Sequence, residues 1–425
     1  MRLIALAVIL ALAVIVGGCA AAATSSSSVT FNKQVLPILQ SRCQDCHRPD
    51  EVAPMSLLTY ADARPWAKSI RQAVLTRKMP PWFADPHYGK FSNDRSLSQT
   101  EIDTIVAWVD GGAKEGDPKD APPPRKFVEG WTIGEPDLVL EMPTAVDVLA
   151  TGTLEYRYVV LPTNLTEDRW VLASEIRPGN RAVIHHVNAF IREPGSTTWL
   201  ANAKPGVPFI AHNEYHSADL SVGISSYVPG QLLRPANAGP RRAILIKARS
   251  DIVLQLHYAP NGKATTDRTK VGFIFAKGPP QTRLVQRSSA LIRFAIPPGD
   301  PDFKLEAIST LPYDCDLFSL TPHAHLRGKS FEYRVLRPDG TSETLLSVPK
   351  YDFSWQLTYF LQQPMHLTKG TKIQVIAHYD NSLNNPRNPD PSREVHSGEQ
   401  TTDEMLMGYY QIEVPGNGET PEAGR

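Results

Sequence analysis

The chain has 425 residues, enough for more than one domain, and its 44 Lys+Arg are matched by 44 Asp+Glu. A formal net charge of zero excludes an extended basic surface, so no nucleic-acid partner and no polybasic membrane patch is expected. Helix-period runs are confined to the first third, and the 37 prolines punctuate short alternating segments beyond it.

Residues 1–18, "MRLIALAVILALAVIVGG", read as an export signal: Arg2, an apolar run, then small residues. At about 14 residues the run is short for a membrane span, which needs ~20. "VGGC" is similar to a bacterial lipobox, which makes Cys19 the lipidated mature N-terminus and "AAATSSSS" part of a flexible tether over 19–29. Ala20 is not the aspartate that holds many such lipoproteins at the inner membrane, so an outer-membrane anchor on the periplasmic side is expected. The plainer alternative is an ordinary signal peptide or uncleaved anchor with a chance cysteine.

Residues 30–117 read as a small all-α domain. Val35, Ile38 and Leu39 give the first helix an apolar face, with Pro37 restricted to its first turn. "DARPWAKSIRQAVLTR" is a second helix. In "LSQTEIDTIVAWVDGG", Ser98 and Glu101 form a capping box, Leu97 and Ile102 its staple, and Gly111–Gly112 the stop. Ile102, Ile105, Val106 and Val109 are its expected buried face. Residues 118–130, within and just after "EGDPKDAPPPRKF", read as a linker, semi-rigid where prolines cluster.

Strand patterns follow. "DIVLQLHY" sets Ile252, Leu254 and Leu256 on one face against Val253, Gln255 and His257 on the other. "FEYRVLRPDGTSETLL" is a hairpin around "PDG", and "TKIQVIAHYD" and "MLMGYYQIEV" are further strands. Their density fits two all-β antiparallel sandwiches, 131–295 and 296–415, divided near "FAIPPGDPD", with a tail at 416–425.

Cys43-Gln-Asp-Cys46-His47 is a c-type haem attachment motif: two thiols for the vinyl groups and a histidine for the iron. No second cysteine pair completes a zinc site, and no βαβ pattern suggests a redox disulfide. The segment resembles small bacterial cytochrome c domains, and on that resemblance Met79 in "RKMPPWF" is the sixth ligand, ahead of Met55 and His87. Methionine ligation would raise the potential. With Cys19 lipidated and Cys43 and Cys46 on haem, Cys315 has no partner, so the strand-rich region holds no internal disulfide.

Histidines recur through that region. His185 and His186 are adjacent, which a regular strand would send to opposite faces, so joint ligation needs a bulge or loop. His257 sits on a strand, and His323 and His325 are two apart, where a strand puts them on one face. Met405 follows, with Met407 as its same-face competitor. Imidazole suits copper in either oxidation state, while a thioether favours Cu(I). In their order — HH, LQLHY, HxH, DEM — these motifs resemble the copper type II, ascorbate-dependent monooxygenases, the peptidylglycine α-hydroxylating and dopamine β-monooxygenase family, over roughly residues 131–415. The resemblance implies an electron-transfer copper on His185, His186 and His257, and a catalytic, oxygen-binding copper on His323, His325 and Met405. It also places Gln255 near the first copper and Tyr409 near the substrate.

The chain departs from that pattern. Thr321 and Met407 stand where the peptide-amidating members have an arginine and an asparagine, which puts a glycine-extended peptide substrate in doubt. Leu406 and His378 replace two cysteines together, so His378 reads as structural. His212 and His216 read as surface-loop residues. The expectation is an exported, copper-dependent monooxygenase that hydroxylates an unidentified organic substrate with O2. It would carry two copper ions and one covalently bound haem c, fed by a periplasmic electron donor or an ascorbate-like reductant. The alternative is a non-enzymatic periplasmic electron-transfer or copper-handling protein.

Overall fold

In the computed structural model of the protein, residues 29–415 are described apart from 50, 153, 197–201, 211–221, 230–241 and 279. The export segment, Cys19, His212, His216 and the tail beyond 415 lie outside the described residues.

The first element opens as a π-turn, Phe31–Val35, and runs into the α-helix Leu36–Arg42. Pro37 is the second residue of the α-helical part, inside its first turn as expected. The second predicted helix is three consecutive pieces, Tyr60–Ala63, a 3-10 turn Arg64–Trp66 around Pro65, and Ala67–Leu75. Gln99–Asp110 carries the expected capping box: Glu101 N–H donates to Ser98 Oγ at 3.2 Å, and Ser98 N–H to Glu101 at 2.7 Å. Its buried face differs from the expectation. Ile102, Ile105 and Trp108 are buried, while Val106 and Val109 are half-buried at its edges. Spacing by three lines those residues up, and the Trp108 indole, tilted against Phe31, fills the centre of the small helical core. The linker lies along the first helix: Gln40 Nε2 donates to Pro123 O at 3.0 Å, and Arg125 pairs with Asp45 at 2.7 Å.

Mostly antiparallel sheets form the rest. The largest runs through eight strands in the order Leu138–Glu141, Lys270–Phe275, Arg169–Arg177, Arg242–Ile246, Thr282–Leu291, Leu406–Pro415, Cys315–His323 and Tyr359–Leu367. A four-stranded sheet, Arg157–Pro162, Asp251–Tyr258, Ile184–Arg192 and Val222–Tyr227, shares a core with the first half of it. A second, Phe303–Thr310, Lys372–Tyr379, Gly328–Leu336 and Ser342–Val348, shares a core with the other half. The two sandwiches are therefore continuous through a short parallel contact, Thr282↔Arg242 and Arg283↔Ala243. The "PDG" hairpin forms as read, antiparallel from Phe331↔Val348 to Leu336↔Ser342.

The Asp251–Tyr258 strand is buried on both faces. Ile252, Leu254 and Leu256 enter the first sandwich core, whereas Val253 joins Tyr156, Tyr158 and Val160 in a separate cluster on the other side. That other face also carries His257, and it is turned towards loops of the second sandwich. The helical region touches both halves: Glu51 pairs with Arg181 of the first, and Trp82, Phe83 and Phe91 pack on the core of the second.

Candidate metal centre

His185, His186 and His257 converge through a register fault. The pairing of Ile184–Arg192 with Asp251–Tyr258 runs Ile184↔Tyr258, then His186↔His257, which leaves His185 as the extra residue of a β-bulge. His186 and His257 are cross-strand neighbours, and the bulge brings His185 round to join them. Ring centroids are 4.8 Å apart for His185–His257, 4.9 Å for His186–His257 and 5.3 Å for His185–His186. One ligand atom from each lies within 4.8 Å of the others.

The nitrogens at this trio are arranged for a metal. His185 Nδ1 and His186 Nδ1 stand 3.0 Å apart. His257 Nε2 is bonded to Thr401 Oγ1 at 3.1 Å, which leaves its Nδ1 buried with no partner; His185 Nε2 is buried and unpartnered too. An orphaned buried nitrogen is costly, and a metal ion is the partner that would complete it. Burial, followed by charge on neighbouring histidines, pushes His185 down to about 4 and His257 to about 3, and holds His186 well below its ordinary value. All three are neutral at pH 7, the form that binds metal.

His323 and His325 meet differently from the sequence expectation. His323 ends the Cys315–His323 strand, but His325 lies past it, in the turn before Gly328. Their rings still stand 5.3 Å apart at 85°. Glu404 bends the chain: its buried carboxylate accepts from the backbone N–H of His325 at 2.8 Å, Arg327 at 2.7 Å and Met405 at 3.1 Å. Desolvation pushes that carboxyl up to about 7 despite these donors and the nearby Arg327. One side chain thus ties the HxH turn to Met405. His323 Nδ1 donates to Gln356 Oε1 at 2.7 Å and His325 Nδ1 to Asp403 O at 3.2 Å, so both rings present Nε2. His325 Nε2 is buried without a partner. Burial lowers both rings, His323 to about 4.

The two groups share one cavity of about 480 Å³, lined by His186 and Gln255 from the first sandwich and His323, His325, Met405 and Tyr409 from the second. Phe353 stands between them, stacked on His185 at 4.6 Å and edge-on to His325 at 6.1 Å. Gln255 is held by Asn188 at 3.1 Å and donates to Tyr158 at 2.9 Å. Tyr409 lies 6.3 Å from His323, its phenol pushed up to about 12 by burial, so it keeps its proton at neutral pH. Met405 and Met407 both line the cavity; Met407 is the register partner of His323, while Met405 has its carbonyl fixed by Tyr379 at 2.7 Å.

At the other end, Cys43, Cys46 and His47 follow the first helix directly, and none of the described cysteines is disulfide-bonded. His47 Nδ1 donates to Met55 O at 3.2 Å, which leaves Nε2 as its ligand atom. Burial pushes the Cys43 thiol up to about 12 and raises Cys46, so both are protonated at neutral pH. Met55 packs on the helical core, Met79 is half-buried just beyond Ala67–Leu75, and His87 is exposed and paired with Asp85 at 2.6 Å. Cys315 is buried in the second core, and His378 makes a surface pair with Asp302 at 3.3 Å.

Gln356, Phe353, Thr401 and Glu404 escaped the sequence reading. Only Glu404 carried a signal, as the residue beside Met405 in "DEM".

Residues 288–412 match the family model described as copper type II ascorbate-dependent monooxygenase, C-terminal domain. That segment contains His323, His325, Met405 and Tyr409. The chain is also similar to DBH-like monooxygenase protein 1 of Gallus gallus, 26% identical over 125 residues. The match covers 27% of this chain and 19% of that protein, so the chain spans about a fifth of its relative's length. Solved structures are more distant. The infectious bursal disease virus VP2 subviral particle is 10% identical with a TM-score of 0.20, covering 68% of this chain and 75% of that one. A secreted protein from Eubacterium rectale is 11% identical with a TM-score of 0.19, covering 61% and 69%. Scores this low do not indicate a common fold. The segment match and the curated relative together support the copper type II monooxygenase family, with copper as the implied cofactor.

Proposed function

We propose that the protein is an exported copper-dependent monooxygenase that hydroxylates a C–H bond of an organic substrate, with an attached haem c as its electron relay. The observation that carries this reading is the shared cavity: His186 of one group and His323, His325 and Met405 of the other open on the same space. His185, His186 and His257 would hold one copper ion, and His323, His325 and Met405 the other. Bound copper would supply two electrons, one at a time, and a place for O2 to react, so that one oxygen atom enters the substrate and the other leaves as water.

The chain's own residues set the conditions for that chemistry. Gln356 and the Asp403 carbonyl fix which nitrogen His323 and His325 present. Thr401 Oγ1 occupies His257 Nε2 and leaves Nδ1 as the nitrogen without a protein partner. Tyr409, protonated at neutral pH, offers a donor beside His323 for orienting a polar substrate group. Phe353 packs its ring against His185 and His325 and so restricts how both imidazoles can turn. Cys43 and Cys46 would bind haem covalently, with His47 and Met79 on the iron; the hydrogen bond from His47 Nδ1 supports the histidine's part. Electrons would enter from a periplasmic donor or an ascorbate-like reductant. A lipid on Cys19 would anchor the chain at the outer membrane.

Copper-loaded protein, given a reductant and a panel of small organic molecules under 18O2, should yield a product carrying one 18O atom per O2 consumed. Reoxidation of the copper with no labelled product from any substrate would favour the electron-transfer or copper-handling alternative.

A further inference from the structure

The loop between the strands Ser342–Val348 and Tyr359–Leu367 supplies most of the support around His323. Tyr351 OH donates to Ala324 O at 2.8 Å and accepts from Ala324 N–H at 3.2 Å. Gln356 bonds His323 Nδ1 at 2.7 Å, and Thr358 Oγ1 lies 2.9 Å from Thr321 Oγ1. Residues 321, 323 and 324 are thus each gripped from this one loop.

Both ends of the loop are fastened by a segment from elsewhere, the strap at residues 82–93 between the helices Ala67–Leu75 and Gln99–Asp110. Asp85 N–H donates to Ser347 O at 2.8 Å at the loop's start. At its end, Asn93 makes a two-pronged contact: Nδ2 donates to Thr358 O at 2.7 Å, and Oδ1 accepts from Phe360 N–H at 3.1 Å. Ser92 N–H to Phe360 O and Gln362 N–H to Lys90 O, each 2.8 Å, extend this into a short ladder on an edge strand. Trp82 and Phe91 then pack edge-on against Tyr359 at 5.0 and 5.4 Å. The fit is close: Gly89 has φ of +67°, and a Cβ there would collide with the Leu345 carbonyl.

We propose that the strap is a positioning element of the His323/His325 metal site, with Asn93 as its principal residue. It holds the end of the loop at Thr358, two residues from Gln356, and so holds the Gln356 oxygen on His323 Nδ1. The helical region therefore shapes the second metal site mechanically, whatever it does with electrons. Partners that orient a ligand histidine typically govern metal affinity by 10–100-fold, and this one is itself held from a distant part of the chain.

The inference rests on the reading that His323 and His325 hold a metal ion, and the test separates the two. Full-length protein and the variants Asn93→Ala, Asn93→Asp, Gln356→Ala and Asn93→Ala/Gln356→Ala are titrated with Cu(I) against a competing chelator. X-ray absorption identifies the sulfur-containing site, and thermal unfolding checks that each variant is folded. Asn93→Ala should weaken the sulfur-containing site about tenfold and leave the three-histidine site within about threefold. Asn93→Asp keeps the acceptor for Phe360 N–H but sets a carboxylate oxygen against the Thr358 carbonyl, so it should recover none of the loss. The double variant should be no weaker than Gln356→Ala alone, because both changes remove the same contact. Unchanged affinity in Asn93→Ala, equal loss at both sites, or losses that multiply in the double variant would overturn the proposal. Absence of copper from the His323/His325 site in the unmodified protein would instead overturn the metal-site reading.

Discussion

The two histidine groups are assembled in contrasting ways. His185, His186 and His257 come from two neighbouring strands of one sheet, and a single bulge collects them. His323, His325 and Met405 come from a strand end, a turn and the approach to another strand; Glu404, beside Met405, ties the last two together, and Gln356 from a separate loop holds His323. Sheet register is enforced over many residues, so the first group is preset by the fold. The second depends on a few buried polar contacts, each with a high cost if broken. A site built from loop contacts is open to adjustment from elsewhere, here from the helical region, and is correspondingly easier to damage.

Glu404 should show that vulnerability most strongly. In Glu404→Ala, three buried backbone donors lose their acceptor and Arg327 loses its nearby buried carboxylate. The expected loss of stability is about 3–5 kcal/mol, read by urea unfolding, because each buried donor left without an acceptor costs about 1–3 kcal/mol. Glu404→Gln should lose less, since the amide oxygen can still accept. A loss in Glu404→Ala no larger than a typical surface change would show that the HxH turn does not need this clamp.

A single outer contact should matter far less at the preset group. Thr401→Val removes the hydroxyl at 3.1 Å from His257 Nε2. The expected effect is about 1 kcal/mol, or roughly fivefold, on copper affinity at the three-histidine site alone. A loss of more than about a hundredfold would mean that this group, too, is held by contacts from the second sandwich rather than by its own sheet.

The same contrast explains what the sequence disclosed. Local rules found the Ser98/Glu101 capping box and the "PDG" hairpin, because both are settled within a few residues. Strand periodicity alone required a bulge or a loop at His185–His186 if the two were to act together, and the structure has the bulge. Other contacts were not legible because their partners are far apart in the chain: Gln356 and His323 by 33 residues, Thr401 and His257 by 144, Asn93 and Thr358 by 265. No periodicity connects such pairs. Trp108 was missed for a nearer reason: the branched aliphatics Val106 and Val109, two positions before it and one after, were enough to complete a buried face on paper, and the indole's size decided otherwise.

Metal content and ligand set of the copper-loaded protein test the assignment of two distinct copper sites most directly. Elemental analysis with X-ray absorption should find two copper ions per chain, one bound by nitrogen alone and one with a sulfur neighbour, and the sulfur signal should vanish in Met405→Ala. A single copper ion, or a sulfur signal that survives in Met405→Ala and disappears in Met407→Ala, would contradict it.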